Sequence, residues 1–172
     1  MRLQIDTREK KSELKRIEDQ LDALGVDHFR SKLYVGDYMN LDNPRLVIDR
    51  KKDLNELCGN VCQQHERFRR ELERALENEI KIIILCEHGE GIERLSDVHF
   101  WKNPRAEIYE WVMEDGHPVK RQKYPRAVQG ISLYKSLRTI RDKYKVDFEF
   151  CDKSETGYRI MKLLEVGHGK KE

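Results

Sequence analysis

The sequence predicts a single α/β domain, a layered fold in which a sheet packs against helices. Segments with the two-residue alternation of strands take turns along the chain with segments that have the apolar spacing of helices. One continuous apolar run at residues 80–86 is typical of a strand that is buried on both faces. A length of 172 residues with 38% hydrophobic residues suits one compact domain with a real core.

The chain begins with a predicted strand that is followed by a helix. Between residues 2 and 6, Leu3 and Ile5 alternate with polar residues, which indicates a strand. A helix is expected next, because apolar residues recur at helical spacing, and Gly25 ends it. The residues of this apolar stripe are Leu14, Ile17, Leu21 and Leu24.

Residues 28–51 predict an extended segment and then a hairpin. The extended segment covers residues 28–34, and a short strand follows at Tyr38–Asn40. Asp42-Asn43-Pro44 suits a chain reversal, because each of these residue types favours turns. The return strand is expected at residues 46–51, so the two strands of the hairpin are centred near Asn43.

Beyond the hairpin, helices and strands continue to alternate. We expect helices at residues 63–77, 105–113, 133–144 and 160–164, and strands at 80–86 and 146–150. The section from 89 to 125 is the least regular part of the chain. We place one domain at residues 1–166 and a short polar tail at 167–172, where fraying is expected.

The charge balance by itself does not indicate a nucleic-acid partner. The chain has 34 basic and 32 acidic residues, which leaves a formal net charge of +2. A DNA-binding surface must therefore come from local clustering of basic side chains.

The cysteines predict reduced thiols in a cytoplasmic protein. Cys58 and Cys62 fit one helical face and His65 follows one turn later, but a zinc site needs a fourth ligand and no second pair exists. Small buried or half-buried thiols are therefore the preferred interpretation, and Cys86 and Cys151 are of the same kind. No secretory signal and no apolar run of membrane-spanning length is visible, so we expect no membrane partner.

Two acids and a lysine of the predicted hairpin form a candidate metal site. Asp37 and Asp49 are equally distant from Asn43, so they lie opposite each other, and opposed residues have Cβ atoms roughly 4.5–5.5 Å apart. Two carboxylates this close repel each other unless a positive charge separates them, and Mg²⁺ prefers such oxygen ligands. Lys51 shares the face of Asp49, where it can orient a water, whereas Arg50 points to the other face.

A structural role for the same residues stays open at this point. Gly-Asp is common at turns, and charged residues alternate on any half-exposed strand. Taken singly, Asp37 fits a structural role better than a catalytic one. The paired register and Lys51 favour catalysis, so from the residues alone both interpretations stand.

The same residues resemble a known family. Gly36-Asp37, a spacer and Ile48-Asp49-Arg50-Lys51 are similar to the G-D-x(n)-E-R-K signature of the XPF-type structure-specific endonucleases, which belong to the PD-(D/E)xK superfamily. Residues 5–9, Ile-Asp-Thr-Arg-Glu, resemble the opening strand and D-x-R-E element of that family. Arg67-Phe68 resembles its helix start, and residues 146–164 resemble its closing strand and helix.

The resemblance implies a restriction-endonuclease-like core, with a central mixed sheet flanked by helices. It also implies that Asp37 and Asp49 hold Mg²⁺ or Mn²⁺, which activates a water, and that Lys51 positions that water. Hydrolysis in this superfamily usually leaves a 5′-phosphate and a 3′-hydroxyl. The D-x-R-E element adds Asp6, Arg8 and Glu9 as active-site candidates beside Arg50. The spacing of Asp6 and Glu9 also suits a helix N-cap with its capping-box glutamate.

The sequence departs from the family signature at three points. Asp49 stands where the family usually has glutamate, which the superfamily pattern permits. The longer signature has an aspartate four residues after the lysine, where this chain has Asn55, while Asp53 comes two residues early. No tandem helix-hairpin-helix region follows the nuclease-like part, so we expect a weaker or differently built substrate preference.

Basic residues of two segments are candidates for binding DNA. Between residues 117 and 126 they are interleaved with Tyr124, which suits phosphate contact and base stacking. A glycine after this segment allows a close backbone approach, and further basic residues lie on the neighbouring helices. A solvated loop is an equal alternative. The candidates are Lys120, Arg121, Lys123, Arg126, Gly130, Lys135 and Arg67.

The sequence supports three functional hypotheses. The first is a metal-dependent endonuclease that cuts branched, flapped or irregular DNA, which suits bacterial or phage DNA processing. The second is a DNA-binding module of the same fold with weak or absent catalysis. The retained acids and lysine count against it, and Asn55 counts mildly in its favour. The third is an unrelated α/β protein. DNA is the expected partner, and a homodimer or a partner protein is compatible with the first two hypotheses.

Overall fold

The computed structural model describes residues 1–9 and 11–165 and has a six-stranded central sheet with helices on both faces. A separate two-stranded hairpin lies outside this sheet. The strands are β1 (Arg2–Ile5), β2 (Asp27–Arg30), β3 (Tyr38–Asn40), β4 (Asn43–Lys51), β5 (Lys81–Cys86), β6 (Tyr109–Glu114), β7 (His117–Gln122) and β8 (Asp147–Phe150). The helices are α1 (Lys11–Ala23), α2 (Leu54–Cys62), α3 (His65–Glu77), α4 (Gly130–Tyr144) and α5 (Thr156–Glu165).

The central sheet is mixed, as predicted. Its strand order is β2-β1-β3-β4-β5-β8. β1 pairs in parallel with β2 and antiparallel with β3, and β3 pairs antiparallel with β4. The remaining pairs, β4 with β5 and β5 with β8, are parallel. β4, which carries the candidate acid and lysine, is therefore an interior strand held on both sides.

Two hydrophobic cores lie on the two faces of the sheet. α1 and α5 pack on one face, and α2, α3 and α4 pack on the other. β5 serves both cores, because Ile82 and Ile84 point to one face while Ile83 and Leu85 point to the other. The prediction of a strand buried on both faces is confirmed. No helix of the described ranges is long and apolar enough to cross a membrane.

The helix predicted at residues 105–113 is wrong. A single 3-10 turn, Pro104–Glu107, is followed there by β6 and β7. Asp115 and Gly116, between these strands, have φ angles of 49° and 82°. Two successive positive φ angles and an Asp-Gly pair are typical of a two-residue hairpin turn, whose twist matches the strands. The sequence carried this signal, which the helical interpretation overlooked.

One helix was absent from the prediction. α2 follows directly after β4 and begins beyond Asp53, whose Oδ1 accepts the backbone N–H of Glu56 at 2.7 Å. This is the N-cap contact that aspartate makes at helix starts. The helix predicted to begin at residue 63 is α3, which begins at His65. The predicted tail at 167–172 lies outside the described residues, as does Val166 at the end of the predicted domain.

Candidate active site

The hairpin of β3 and β4 has the register that places Asp37 beside Asp49. Tyr38 pairs with Ile48, so the residues before and after them face each other. The backbone N–H of Asp37 donates to the Ile48 carbonyl at 2.8 Å, and Asp37 Oδ2 accepts the backbone N–H of Arg50 at 2.8 Å. The Asp37 carboxylate is thus fixed at the edge of β4 by backbone contacts.

Gly36 is needed for the chain to enter this hairpin. Its φ angle is +73°, in the left-handed region that side chains rarely adopt. A Cβ atom at this position would also lie 3.0 Å from the Ile48 carbonyl oxygen and 3.1 Å from a methyl group of Val47. The glycine therefore allows the close approach that brings Asp37 to its place.

Lys51 lies against Asp49 on the same face of β4. Its Nζ donates to Asp49 Oδ1 at 2.8 Å, and the two side chains are 10% and 7% exposed. The ammonium group also lies 5.6 Å from the centre of the Phe68 ring. Burial works to lower the pKa of Lys51, but the charges of Asp49 and Asp37 outweigh it and raise the pKa. Lys51 is therefore a cation at neutral pH.

Asp37 is held in an environment that disfavours its negative charge. Burial raises the pKa of Asp37 well above its usual value, and repulsion from Asp49 raises it further. Lys51 and the backbone N–H of Arg50 oppose this rise. A cation placed between the two carboxylates would offset both the burial and the repulsion, so their charges favour a bound metal ion.

Arg50 points to the opposite face of β4, as expected, and ends between two carboxylates. Glu9 accepts its Nε and Nη2 at 3.0 Å each, and Glu87 accepts its Nη1 at 3.0 Å. Glu87 also accepts Arg16 Nη2 and Thr156 Oγ1, both at 2.6 Å. Arg50 therefore ties β4 to the segment before α1 and to the end of β5, and Glu87 extends these links to α1 and to the start of α5.

Asp6 and Arg8 form another ion pair, which lies next to the paired acids of the hairpin. Asp6 is fully buried and accepts Arg8 Nε at 2.8 Å, Arg8 Nη2 at 2.6 Å and the backbone N–H of Leu33 at 2.8 Å. Burial favours a higher pKa for Asp6, but its hydrogen bonds, led by that of Arg8, lower the pKa. Arg8 itself lines the open site. Asp6 thus positions Arg8 rather than facing the cavity.

These residues surround a cavity of about 440 Å³, which we call the cleft. It contains six acidic and six basic side chains, so its charges are balanced. The sequence predicted the acids Glu9, Asp37 and Asp49 and the bases Arg8, Arg50, Lys51 and Arg67. The structure adds charged residues that lie on helices or next to them, namely Glu13, Lys52, Glu56, Glu71 and Arg74.

Of two acidic residues that the sequence reasoning missed, Glu87 carries a signal in the sequence and Glu71 does not. Glu87 is fully buried although it is acidic, and it directly follows the apolar run of β5, where a buried charge needs partners. Glu71 lies on α3, and its Oε1 accepts the backbone N–H of Gly36 at 3.3 Å. No spacing rule connects residues 36 and 71, because only the packing of α3 on the sheet joins them.

Among the predicted DNA-binding residues, only Arg67 lines the cleft. Lys123 and Arg126 line a second cavity beside α2. Lys120 lies on β7, with its Nζ 5.0 Å from the centre of the Tyr109 ring. Arg121, on the other face of this hairpin, pairs with Glu114.

The other two predicted DNA-binding residues lie on α4. Lys135 is exposed there and does not line the cleft. Gly130 is buried, and a Cβ atom at this position would lie 2.5 Å from the carbonyl oxygens of Val98 and Trp101. The close approach that Gly130 allows is therefore to the protein backbone. Gly130 has a packing role.

The positions that departed from the expected signature have separate environments. Asp53 caps α2, and Asn55 lines the second cavity rather than the cleft.

Cys58 is buried, and burial raises its pKa to about 12, whereas Cys62 is exposed. Among the residues that the structure describes, no group of three or more His, Cys, Asp or Glu side chains could hold a metal ion.

Solved structures resemble this chain over nearly its whole length. The structure of XPF from Aeropyrum pernix has a TM-score of 0.63 and 19% identity, and the match covers 99% of this chain and 66% of that chain. XPF from Aeropyrum pernix in complex with DNA has a TM-score of 0.62 and 19% identity, with coverages of 97% and 64%. The chain thus spans about two thirds of the length of these proteins and shares their fold.

The sequence itself matches a family model. No curated protein matches the chain. The model described as the ERCC4 domain, however, matches residues 5–163, which include every residue of the cleft. This match extends from β1 to α5, so the chain belongs to the ERCC4 domain family.

Proposed function

We propose that this protein is a DNA endonuclease that depends on Mg²⁺ or Mn²⁺ and hydrolyses phosphodiester bonds. One observation carries the proposal: Asp37, Asp49 and Lys51 meet in one cleft, where burial and the charge of Asp49 raise the pKa of Asp37. The family match and the likeness to a protein solved in complex with DNA support the same conclusion.

The donor set suits a hard divalent cation. Mg²⁺ is commonly held by one or two carboxylates, while waters and substrate phosphates complete its shell. Asp37 and Asp49 would hold the ion. When bound, it would lower the pKa of a water and stabilise the charge on the departing oxygen.

The protein's own side chains supply positioning and charge. Lys51 is a cation with a raised pKa, so it acts as a hydrogen-bond donor that orients the water and stabilises negative charge on the phosphate. Arg8, Arg67 and Arg74 line the cleft and are placed to hold the phosphates of the strand. Arg50 does not serve this purpose, because Glu9 and Glu87 occupy its guanidinium group. The products would carry a 5′-phosphate and a 3′-hydroxyl.

Branched, flapped or irregular DNA is the proposed substrate. A single chain of this size meets the phosphate backbone with the loops and helices around the cleft. A homodimer or a partner protein would extend the contact with DNA, and sedimentation of the protein with and without DNA measures this.

Cleavage of labelled flap, duplex and single-stranded DNA in Mg²⁺ or Mn²⁺ tests the proposal. We expect Asp37→Asn and Lys51→Met to slow cleavage by about 100-fold or more, because the first weakens the hold on the metal ion and the second removes the cation that stabilises negative charge on the phosphate. Asp147→Asn is the matched control, since Asp147 lies on the edge strand β8 and pairs with Lys81 at 2.9 Å on the surface. Equal cleavage by all these proteins would refute the site assignment.

Calorimetric titration with Mn²⁺ separates catalysis from binding. We expect the parent protein and the Asp147→Asn control to bind Mn²⁺, and the Asp37→Asn protein to lose this binding. DNA binding without either Mn²⁺ binding or cleavage would instead support an inactive DNA-binding module.

A further inference from the structure

A second cavity, which we call the side groove, shares α2 as a wall with the cleft. It has a volume of about 320 Å³ and lies between α2 and the segment that follows β7. On α2, the residues that line the cleft recur every four positions, Glu56 and Asn60, with Gln64 just beyond the helix. The neighbouring face of α2 lines the side groove. Its residues there are Asn55, Cys58, Gly59 and Cys62.

The side groove is basic, in contrast to the charge-balanced cleft. Its lining includes Arg105, Lys123 and Arg126 and no acidic residue. Lys123 is partly offset by Glu110 at 3.6 Å, where both side chains are 46% exposed, so water weakens that pair. A groove with this charge attracts a polyanion.

The side groove also contains an aromatic side chain, Tyr124, and a glycine without a side chain, Gly59. Tyr124 is exposed at 40%, and the guanidinium group of Arg105 lies 5.9 Å from the centre of its ring. Gly59 lies inside α2, where glycine costs about 1 kcal/mol relative to alanine. A Cβ atom at Gly59 would meet nothing within 4 Å, so packing does not require glycine there. The position instead leaves room for a ligand to approach the backbone closely.

We propose that the side groove binds an unpaired DNA strand that continues from the cleft across α2. The three basic side chains would contact phosphates, and Tyr124 would stack on a base, as in proteins that hold single strands. The helix that separates the two cavities is only about 10 Å wide, so a few nucleotides can cross it. This inference rests on the proposed function, and it gives a physical reason for a preference for flapped DNA.

Cys62 provides a reporter that does not depend on cleavage. It lines the side groove and is exposed, whereas the other three cysteines are buried. Burial raises the pKa of Cys58 to about 12 and that of Cys151 to about 11, which keeps these thiols unreactive. Alkylation of the native protein therefore reports on Cys62.

The experiment measures the alkylation rate of Cys62 with a deoxythymidine oligonucleotide and with a blunt duplex. At ten times the dissociation constant of the oligonucleotide, we expect alkylation about tenfold slower, since only the free protein reacts. The blunt duplex should slow it much less. Equal rates with and without the single strand, or equal protection by both DNAs, would overturn the proposal.

Two variants localise the protection. Gly59→Leu fills the side groove and improves the helix, so it should fold at least as well and lose the protection. Arg126→Ala should weaken oligonucleotide binding. It should also lower, by about 1, the steepness with which the logarithm of the binding constant falls with the logarithm of the salt concentration. Arg141→Ala, an exposed arginine on α4, is the charge-matched control. Protection retained by a folded Gly59→Leu protein would contradict the proposed position of the strand.

The asparagine variant of the cleft separates this inference from the proposed function. Asp37→Asn should keep the protection of Cys62, because Asp37 does not line the side groove. Protection without any cleavage by the parent protein would refute the nuclease and leave the strand-binding groove intact. Cleavage without protection would refute the groove alone.

Discussion

Replacing Glu87 with glutamine removes a negative charge that links four elements of the fold. The Glu87 side chain is fully buried, and its two oxygens accept hydrogen bonds from three side chains. Arg50 and Arg16 each bring a positive charge, and Thr156 brings a hydroxyl group. Glutamine has only one side-chain oxygen, and an NH₂ group replaces the other. That NH₂ group must face hydrogen-bond donors, either on Arg50 or on Arg16 and Thr156, and it cannot accept their hydrogen bonds.

The expected loss of stability follows from the burial of these charges. Removing one partner of a buried ion pair costs about 3–5 kcal/mol, because the other charge stays buried without compensation. Glu9 continues to hold Arg50 in a bidentate contact, which places the estimate at the lower end, about 3 kcal/mol. With a urea m-value of about 2 kcal/mol/M, the unfolding midpoint would fall by about 1.5 M.

Urea unfolding followed by circular dichroism measures this loss. Glu66→Gln is the control, because Glu66 pairs with Arg70 at 3.9 Å on the surface of α3, with exposures of 70% and 68%. The control should shift the free energy of unfolding by less than about 0.5 kcal/mol. A Glu87→Gln protein as stable as this control would show that the buried network does not hold the fold, and the reasoning would fail.

Two further variants test the groups that shape the cleft. Asp6→Asn should cost about 1–3 kcal/mol at neutral pH through its lost bonds to Arg8. The pKa of Asp6 is lower in the folded state than in the unfolded state. The stability that Asp6 contributes is therefore complete above its unfolded pKa and is lost as the pH falls through its folded pKa. A difference in the free energy of unfolding between parent and variant that did not change with pH would contradict this. Gly36→Ala should destabilise more than Gly25→Ala by about 1–3 kcal/mol. Both glycines have positive φ, but only at Gly36 would a Cβ atom meet close neighbours, so equal losses in thermal unfolding would refute the packing argument.

Local spacing was enough to place the acidic hairpin. Counting outward from Asn43 set Asp37 opposite Asp49, and the register of Tyr38 with Ile48 agrees with that pairing. The predicted turn centre was wrong, however, because Asn43 already belongs to β4 and pairs with Asn40, so the turn lies at residues 41–42. A register shift between Met39 and Asn40 restores the pairing that the count predicted. The alternation of side chains along a strand likewise separated Lys51 from Arg50. Both relations depend only on positions within one hairpin, so the sequence contains them.

Short elements with mixed signals were harder to predict. α2 is nine residues long and contains Gly59, and its clearest sign was the capping aspartate, Asp53. β6 and β7 are mostly exposed, so the apolar alternation that marks half-buried strands is weak there. Asp115-Gly116 was their strongest signal, and it specifies a turn rather than the strands on either side.

The sequence by itself determined the mixed α/β architecture, the paired acids and the lysine beside them, because periodicity and turn chemistry act over a few residues. Only the tertiary structure decided that Glu87, Glu9 and Thr156 surround or support Arg50, and that α2 divides a charge-balanced cleft from a basic side groove. These contacts join residues far apart in the chain. They arise when helices bury their apolar faces on the two sides of the sheet, and no local spacing encodes which charged side chains then meet.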